Sequence, residues 1–336
     1  MLKITDRPKL EDVARLAGVG KMTVSRVLNG GSVGPKSVAR VHDAMRVLRY
    51  RPDQLARSLR TRRTRMLGLI IPSFSDPHFA AIADAFNKVA ILNDYAVLSA
   101  ASEGNPDLEL KVIREMLSRR VERIVHAPSA AFSVEPVARE LDDVRLMAID
   151  WPFGGARADL VCVDHFAGAS NAVKHLILHG HSRIACISEP SSVPTLQERQ
   201  NGYSATMAEY GLRTSLQSQC VRRDSISLIR KLVEGTDAVS AIFTTNRHAT
   251  VCILDALGKL RIKIPDDIAI IGFDDLESAD LLSVPLSTVR QPAMQMGHAA
   301  AERLIKQVQT KPSDAPPQIL KFSAELVLRS SCGCSH

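Results

Sequence analysis

From residue 66 onward, short apolar runs alternate with amphipathic stretches, and this alternation constrains the fold more than any other feature of the 336 residues. The apolar runs are Met66–Ile71, Ala96–Ala100, Arg123–His126, Arg145–Ile149, Leu160–Val163, Arg183–Ile187, Ala241–Thr244 and Ile268–Phe273. Most are separated by segments long enough for a helix. Strand-then-helix repetition specifies βαβ units, and so parallel sheets covered by helices on both faces. The number of runs suggests two such units, roughly 66–164 and 165–289. Leu286–Arg290 and Ala293–Lys306 are expected to return toward the first unit, with a final strand pair ending near Ser330.

Charge sets the first residues apart. Residues 1–65 hold 16 Lys and Arg against 5 Asp and Glu, a net of +11, whereas the remainder holds 27 against 31, a net of −4. A basic head on a slightly acidic body fits a polyanion docked at one end, because neutralising phosphates releases counterions.

The head also has the periodicity of a folded unit. Leu10, Val13, Ala14 and Ala17 recur at helical spacing and Gly18 ends the run. A second helix is expected from Lys21, with Val24, Val27 and Leu28 inward and Met22, Ser25, Arg26 and Asn29 on the opposite face. Pro35 suits the first position of a third helix, which turns Val38, Val41, Met45 and Leu48 inward. Two short helices joined by a glycine turn and braced by a third make a helix-turn-helix. Arg26 can reach guanine O6 and N7, Lys21 and Met22 lie at the tip where bases are read, and Thr23 and Ser25 suit phosphate oxygens. Gly18-Val19-Gly20-Lys21-Met22-Thr23 only superficially resembles a phosphate-binding loop. Arg15 stands where the first glycine is required, Met22 separates Lys from Thr, and a helix precedes it instead of a strand.

Between head and body lies Tyr50-Arg51-Pro52-Asp53-Gln54-Leu55-Ala56-Arg57-Ser58-Leu59-Arg60. Leu55 and Leu59 share a helical face, but the segment is shorter than the roughly 12 residues an isolated helix needs in water. It is expected to be helical only when something else steadies it.

Leu10 to Val19, Thr23-Val24-Ser25-Arg26-Val27-Leu28-Asn29-Gly30, Tyr50-Arg51-Pro52 and Leu55-Ala56-Arg57-Ser58-Leu59 together resemble the head and hinge of the lactose/galactose-repressor (LacI-type) transcription factors. The resemblance extends over essentially the whole chain, with Gly20 in place of the usual Ser at the recognition helix's N-cap. It implies an α/β chain with an all-α helix-turn-helix head and a two-lobed, doubly wound effector domain like periplasmic sugar-binding proteins. It also implies that Leu59, with Arg60 beside it, enters the minor groove at the operator centre and kinks the duplex. Expected boundaries are 1–50 for the head, 51–64 for the hinge, 65–164 plus 290–322 for one lobe, 165–289 plus 323–331 for the other, and 332–336 for a tail.

Ligands of doubly wound sheets sit beyond the carboxyl ends of the strands. Phe74, Ser75, His78 and Phe79 follow the first run, and Asp150 and Trp151 the fourth. Asn246, Arg247 and Asp274 follow later ones, and Arg199 lies on a helix expected to face the cleft. Aromatic faces, carboxylates and an Arg suit a small polyhydroxylated ligand. The family resemblance carries effector contact to Phe79, Trp151, Arg199, Asn246 and Asp274. Where the family commonly has Asn-Asp, this chain has Asn246-Arg247, and the reversed charge favours an anionic effector, a sugar acid or sugar phosphate, over the alternative of a neutral sugar or nucleobase.

Six scattered cysteines argue for reduced thiols rather than a disulfide framework. His175, His179 and His181 have spacing reminiscent of a zinc site, yet they fall in what resembles the family's helix-to-strand connection and are expected to be structural. Cys332-Gly333-Cys334-Ser335-His336 could hold a metal but lacks a fourth ligand. No metal or cofactor is therefore expected. No export signal or membrane span is evident, so a cytoplasmic protein is expected. The chain stops soon after its last strand, leaving no room for a heptad segment, so a homodimer on a pseudo-palindromic operator is expected. A transport-type sugar receptor would have no use for the head, and a sugar-acting enzyme would need a nucleophile–base pair that is not evident.

Overall fold

The computed structural model describes residues 8–28, 31–50, 63–141, 144–154, 158–190, 193–217, 224–309 and 316–334. The chain divides into two compact units, Met1–Thr64 and Arg65–His336. Asn29, Leu59 and Arg60 lie outside the described residues, as does most of the expected hinge.

In the first unit three helices enclose one small core: α1 (Leu10–Ala17), α2 (Lys21–Leu28) and α3 (Pro35–Leu48). Val13, Ala14, Ala17, Val24, Val41 and Ala44 are buried, and Leu10, Val27, Leu28, Met45 and Leu48 pack around them. Val38, expected inward, is only half-buried, and Ala44 takes the more central place. The Asp12 carboxylate accepts the Lys9 backbone N–H at 2.9 Å, which secures the start of α1. Gly18 ends that helix with φ 61°, and its N–H reaches the carbonyls of Ala14 and Arg15. A left-handed residue at this point favours glycine, and it turns the chain directly into α2.

The second unit is built on two six-stranded sheets. The first sheet contains β1 (Met66–Ile71), β2 (Ala96–Ala101), β3 (Arg123–His126), β4 (Arg145–Asp150), β5 (Leu160–Val163) and β11 (Ile319–Phe322). Their order is β11-β5-β4-β3-β1-β2, and every neighbouring pair is parallel. The second sheet contains β6 (Ile184–Ile187), β7 (Ser215–Gln217), β8 (Ala241–Thr244), β9 (Ala269–Phe273), β10 (Ser287–Arg290) and β12 (Glu325–Val327). Its order is β12-β10-β9-β8-β6-β7, parallel except where β12 runs against β10.

Side chains alternate between the two covered faces, as the period of a strand requires. Leu67, Leu69 and Ile71 enter one core of the first sheet while Ile70 enters the other. On β9, Ala269, Ile271 and Phe273 face one core of the second sheet and Ile270 the other. The helices that matter below are α4 (Pro77–Leu92) and the helix Ala293–Gln309 on the first sheet, with His165–Leu178, Pro194–Glu209 and Arg247–Leu260 on the second. No described helix is long and apolar enough to cross a membrane.

The chain's last crossings differ from the expectation. Ser287–Arg290 stays in the second sheet beside β9, and the return to the first begins only with the helix Ala293–Gln309, which packs on α4. The final two strands do not pair with each other. β11 extends the first sheet along β5, and β12 closes the edge of the second along β10. Short half-exposed strands carry a weak apolar signal, so pairing partners at the edges are hard to read from sequence. The three-residue edge strand β7 went unread for the same reason.

Candidate functional site

On the head, α2 has one buried residue, Val24, and turns Lys21, Met22 and Arg26 outward. Met22 is 69% exposed, a large apolar side chain left in water. Thr23 and Ser25 are half-buried on the flanks. Lys21 forms an exposed ion pair with Glu11 of α1, which links the start of α2 to its neighbour. A phosphate approaching this tip would compete with Glu11 for the ammonium group.

The second site lies where the carboxyl ends of the two sheets meet. Asp150 ends β4 and Asp274 follows β9, and both take left-handed backbone conformations, with φ 80° and 72°. Non-glycine residues in that region are uncommon and concentrate where function outweighs local strain. His78, on the first turn of α4 behind the cap Asp76, brings Nε2 within 3.9 Å of Asp150 Oδ1. From the second sheet's side, His165 brings its Nε2 to 3.6 Å of the same oxygen.

His165 also accepts from Arg199 Nε at Nδ1, 3.3 Å. Arg199 is 4% exposed, and its guanidinium carbon stands 3.8 Å from the Phe273 ring centroid. One of its Nη1 contacts is the Thr245 carbonyl at 2.8 Å, another the Asp274 carboxylate at 3.3 Å. Gln291 donates to the other Asp274 oxygen at 2.5 Å. A polar chain thus crosses the cleft from His78 through Asp150, His165, Arg199 and Asp274 to Gln291. A cavity of about 270 Å³ opens beside it, with Asp76, His78, Arg247, Asp274, Arg290 and Gln291 in its walls. Another cavity, about 300 Å³ around Leu146, Phe153 and Pro317, has its carboxylate Asp159 already committed to Arg303 and Gln307.

What distinguishes the cleft is unmet hydrogen bonding. Among the described residues, His78 Nε2, Asp150 Oδ1, His165 Nε2, Arg247 Nη1 and Gln291 Oε1 are buried without a partner. Each such group costs about 1–3 kcal/mol if left unsatisfied, so their convergence marks a place built for something polar. Burial opposes ionisation of Asp150, but the nearby His165, His78 and Arg199 outweigh it and hold the carboxyl below the ordinary carboxylate range. Burial, reinforced by the Arg199 guanidinium, depresses the His165 imidazole below its ordinary value against the pull of Asp150.

Several residues expected here have other employment. Phe79 packs in the core with Ile71, Ile82 and Phe86, because an aromatic on the inner face of a helix buries itself. Asn246 caps the helix Arg247–Leu260 by accepting the Ala249 N–H at 3.0 Å, and its amide nitrogen donates to Glu189. Both ends of that amide are occupied. Phe74 is 49% exposed and Trp151 is buried, and neither is in the cavity wall. His165 and Gln291 belong to the polar chain but went unread, although each directly follows a strand end and the same positional rule would have found them.

Comparison with known proteins finds a match within each unit of the chain. The family of bacterial regulatory proteins, lacI family, matches residues 9–53, and a periplasmic binding protein-like domain matches residues 173–332. The ribose operon repressor of Escherichia coli K12 is 29% identical over 334 residues, covering 96% of this chain and 99% of that one. The transcriptional repressor PurR of Photobacterium profundum is 27% identical, covering 96% and 98%. Among solved structures, the CelR–cellobiose complex is 25% identical with TM-score 0.69, covering 97% and 100%. The Lac repressor dimer bound to operator and the anti-inducer ONPF has the same fold, TM-score 0.82 at 20% identity, covering 97% and 99%.

Proposed function

Because the chain belongs to the lacI family of bacterial regulatory proteins, we propose that it is a sequence-specific DNA-binding repressor whose hold on its operator is set by a small molecule in the cleft. The observation that carries the ligand half of this reading is that three unpartnered buried polar atoms, His78 Nε2, Arg247 Nη1 and Gln291 Oε1, belong to residues lining one cavity. His78 begins a helix on the first sheet and Arg247 follows β8 of the second, and both line the cavity, so a ligand that contacts both bridges the two lobes. Closing that bridge changes the angle between lobes, and coupling of this kind is typically worth about 1–3 kcal/mol. The head supplies the DNA half. Met22 and Arg26 stand ready at the tip and outer face of α2, and two heads of a cytoplasmic homodimer would read the half-sites of a near-palindrome.

The effector we propose is a small polyhydroxylated molecule carrying an anionic group, a sugar acid or sugar phosphate. Arg247 supports this, because its Nη1 is buried, unpartnered and part of the cavity wall. Of the four carboxylates in the same wall, Asp76, Asp274, Asp275 and Glu277, two are held by other side chains. Asp275 is taken by Arg290, Arg329 and Thr288, and Asp274 by Arg199 and Gln291. A transport receptor or an enzyme would leave the basic head without a role, and the relatives named above are repressors.

The test is a thermal-shift screen of sugars, sugar acids, their phosphates and purines, followed by calorimetry on the hit with wild type and Arg247→Asp. An anionic hit whose affinity falls about 10-fold or more in the variant supports the reading, since loss of a partly buried charged hydrogen bond costs about 1.5–3 kcal/mol. A hit bound equally by both proteins rules out the anionic class.

A further inference from the structure

Two sequence features that looked unrelated meet in the fold. His175 and His179 lie one helical turn apart, in the last turn and at the cap of the helix His165–Leu178. Cys332 and Cys334 lie at the other end of the chain, around the short turn Ser330–Cys332. Cys334 Sγ stands 3.4 Å from His175 Nε2 and 3.3 Å from His179 Nε2. The ligand atoms of His175, Cys332 and Cys334 all lie within 4.8 Å of one another. The fourth ligand that the terminal Cys-Gly-Cys lacked in the sequence is supplied, together with a third, by a helix more than 150 residues away.

We propose that His175 Nε2, His179 Nε2, Cys332 Sγ and Cys334 Sγ form a tetrahedral site for a zinc-class divalent metal ion. Bond lengths of about 2.3 Å to sulfur and 2.0–2.1 Å to nitrogen place tetrahedral ligand atoms roughly 3.3–3.8 Å apart. Cys334 already stands at this separation from both histidines, and Cys332 lies within 4.8 Å of His175 and Cys334, so binding asks the side chains to close around the ion. Two thiolates and two imidazoles in this geometry select zinc over hard cations such as magnesium or calcium.

Three features prepare the donors. His179 Nδ1 lies 2.9 Å from the His175 carbonyl, which holds the proton on that nitrogen and leaves the Nε2 lone pair facing Cys334. Cys332 is fully buried in the core of the second sheet, and its neighbour Ser331 donates to the Ile270 carbonyl and accepts from the Ser287 N–H. The first cysteine is therefore fixed in place. Gly333 has φ 90°, which turns the chain so that the second thiol comes back toward the helix. A bound ion would pin the chain's last residues to the helix that begins with His165.

The experiment uses the full chain, free of affinity tags and kept reduced. Zinc content is measured by elemental analysis after gel filtration, and the metal-stripped protein is titrated with Co²⁺. The expected result is one zinc per chain, with cobalt giving the intense visible bands of a tetrahedral site and a thiolate-to-metal charge-transfer band. Cys334→Ser and His179→Gln, at positions exposed enough to leave the core intact, should each weaken cobalt binding about 100-fold or more. Sub-stoichiometric zinc together with no tetrahedral cobalt spectrum would overturn the proposal. So would a spectrum that persists unchanged in the double variant.

Discussion

Arg199 shows how one side chain can hold a site together. It reaches His165, Thr245, Asp274 and the face of Phe273 while almost fully buried, so it organises the cleft from the second sheet's side. Buried imidazoles give the same molecule a pH response. Burial depresses His126, which stands 3.5 Å from buried Glu109, and burial with Arg199 depresses His165. Both therefore take up a proton less readily in the fold than in the unfolded chain, where the ordinary value is about 6.5. Below that pH the unfolded chain binds more protons, so stability falls as the solution is acidified. The melting temperature should therefore drop between about pH 7 and pH 5.5, and less steeply in His126→Phe, whose ring suits the neighbouring Phe132 and Phe153. A wild-type melting temperature flat over that range would contradict this assignment. The chemistry of the cleft was legible in Asp150, Arg199, Arg247 and Asp274, which strand-end position and residue type single out. Asn246 and Phe79 also serve as a helix cap and a core residue, roles that use the same residue types as ligand contact.

At the scale of elements, helix spacing is set by small residues. A side chain at Gly297 would run into the Ile82 carbonyl and the Ala85 methyl group, so α4 and the helix Ala293–Gln309 can lie this close only because a glycine stands there. Gly297→Ala should cost about 1–3 kcal/mol through overpacking, measured by urea denaturation of the body's transition. A change below about 0.5 kcal/mol would mean that the two helices separate freely. The strands were easy to read because continuous apolar runs such as Leu160–Val163 and Ala241–Thr244 are buried on both faces. The pairing partners of β11 and β12 were not, because which neighbour an edge strand takes depends on long-range register and not on local composition. The four metal-type donors were likewise visible one pair at a time, while their meeting depends on how the last turn packs against a distant helix.

For the whole molecule, the division into a basic reading unit and a ligand-closing body was legible from charge asymmetry and from strand–helix alternation, since both are properties of long segments. The identity of the effector was not, because it depends on which polar atoms remain unpartnered after folding. In a ligand-controlled repressor, occupancy of the cleft and occupancy of the head must be coupled. The direct measurement is operator affinity, by fluorescence anisotropy at fixed salt, with and without saturating amounts of the compound that stabilises the protein most in the screen. A shift of about 5- to 150-fold is predicted, with the reciprocal shift in effector affinity when operator is bound and loss of both in Arg199→Met. Operator affinity that stays the same at saturating effector would contradict it.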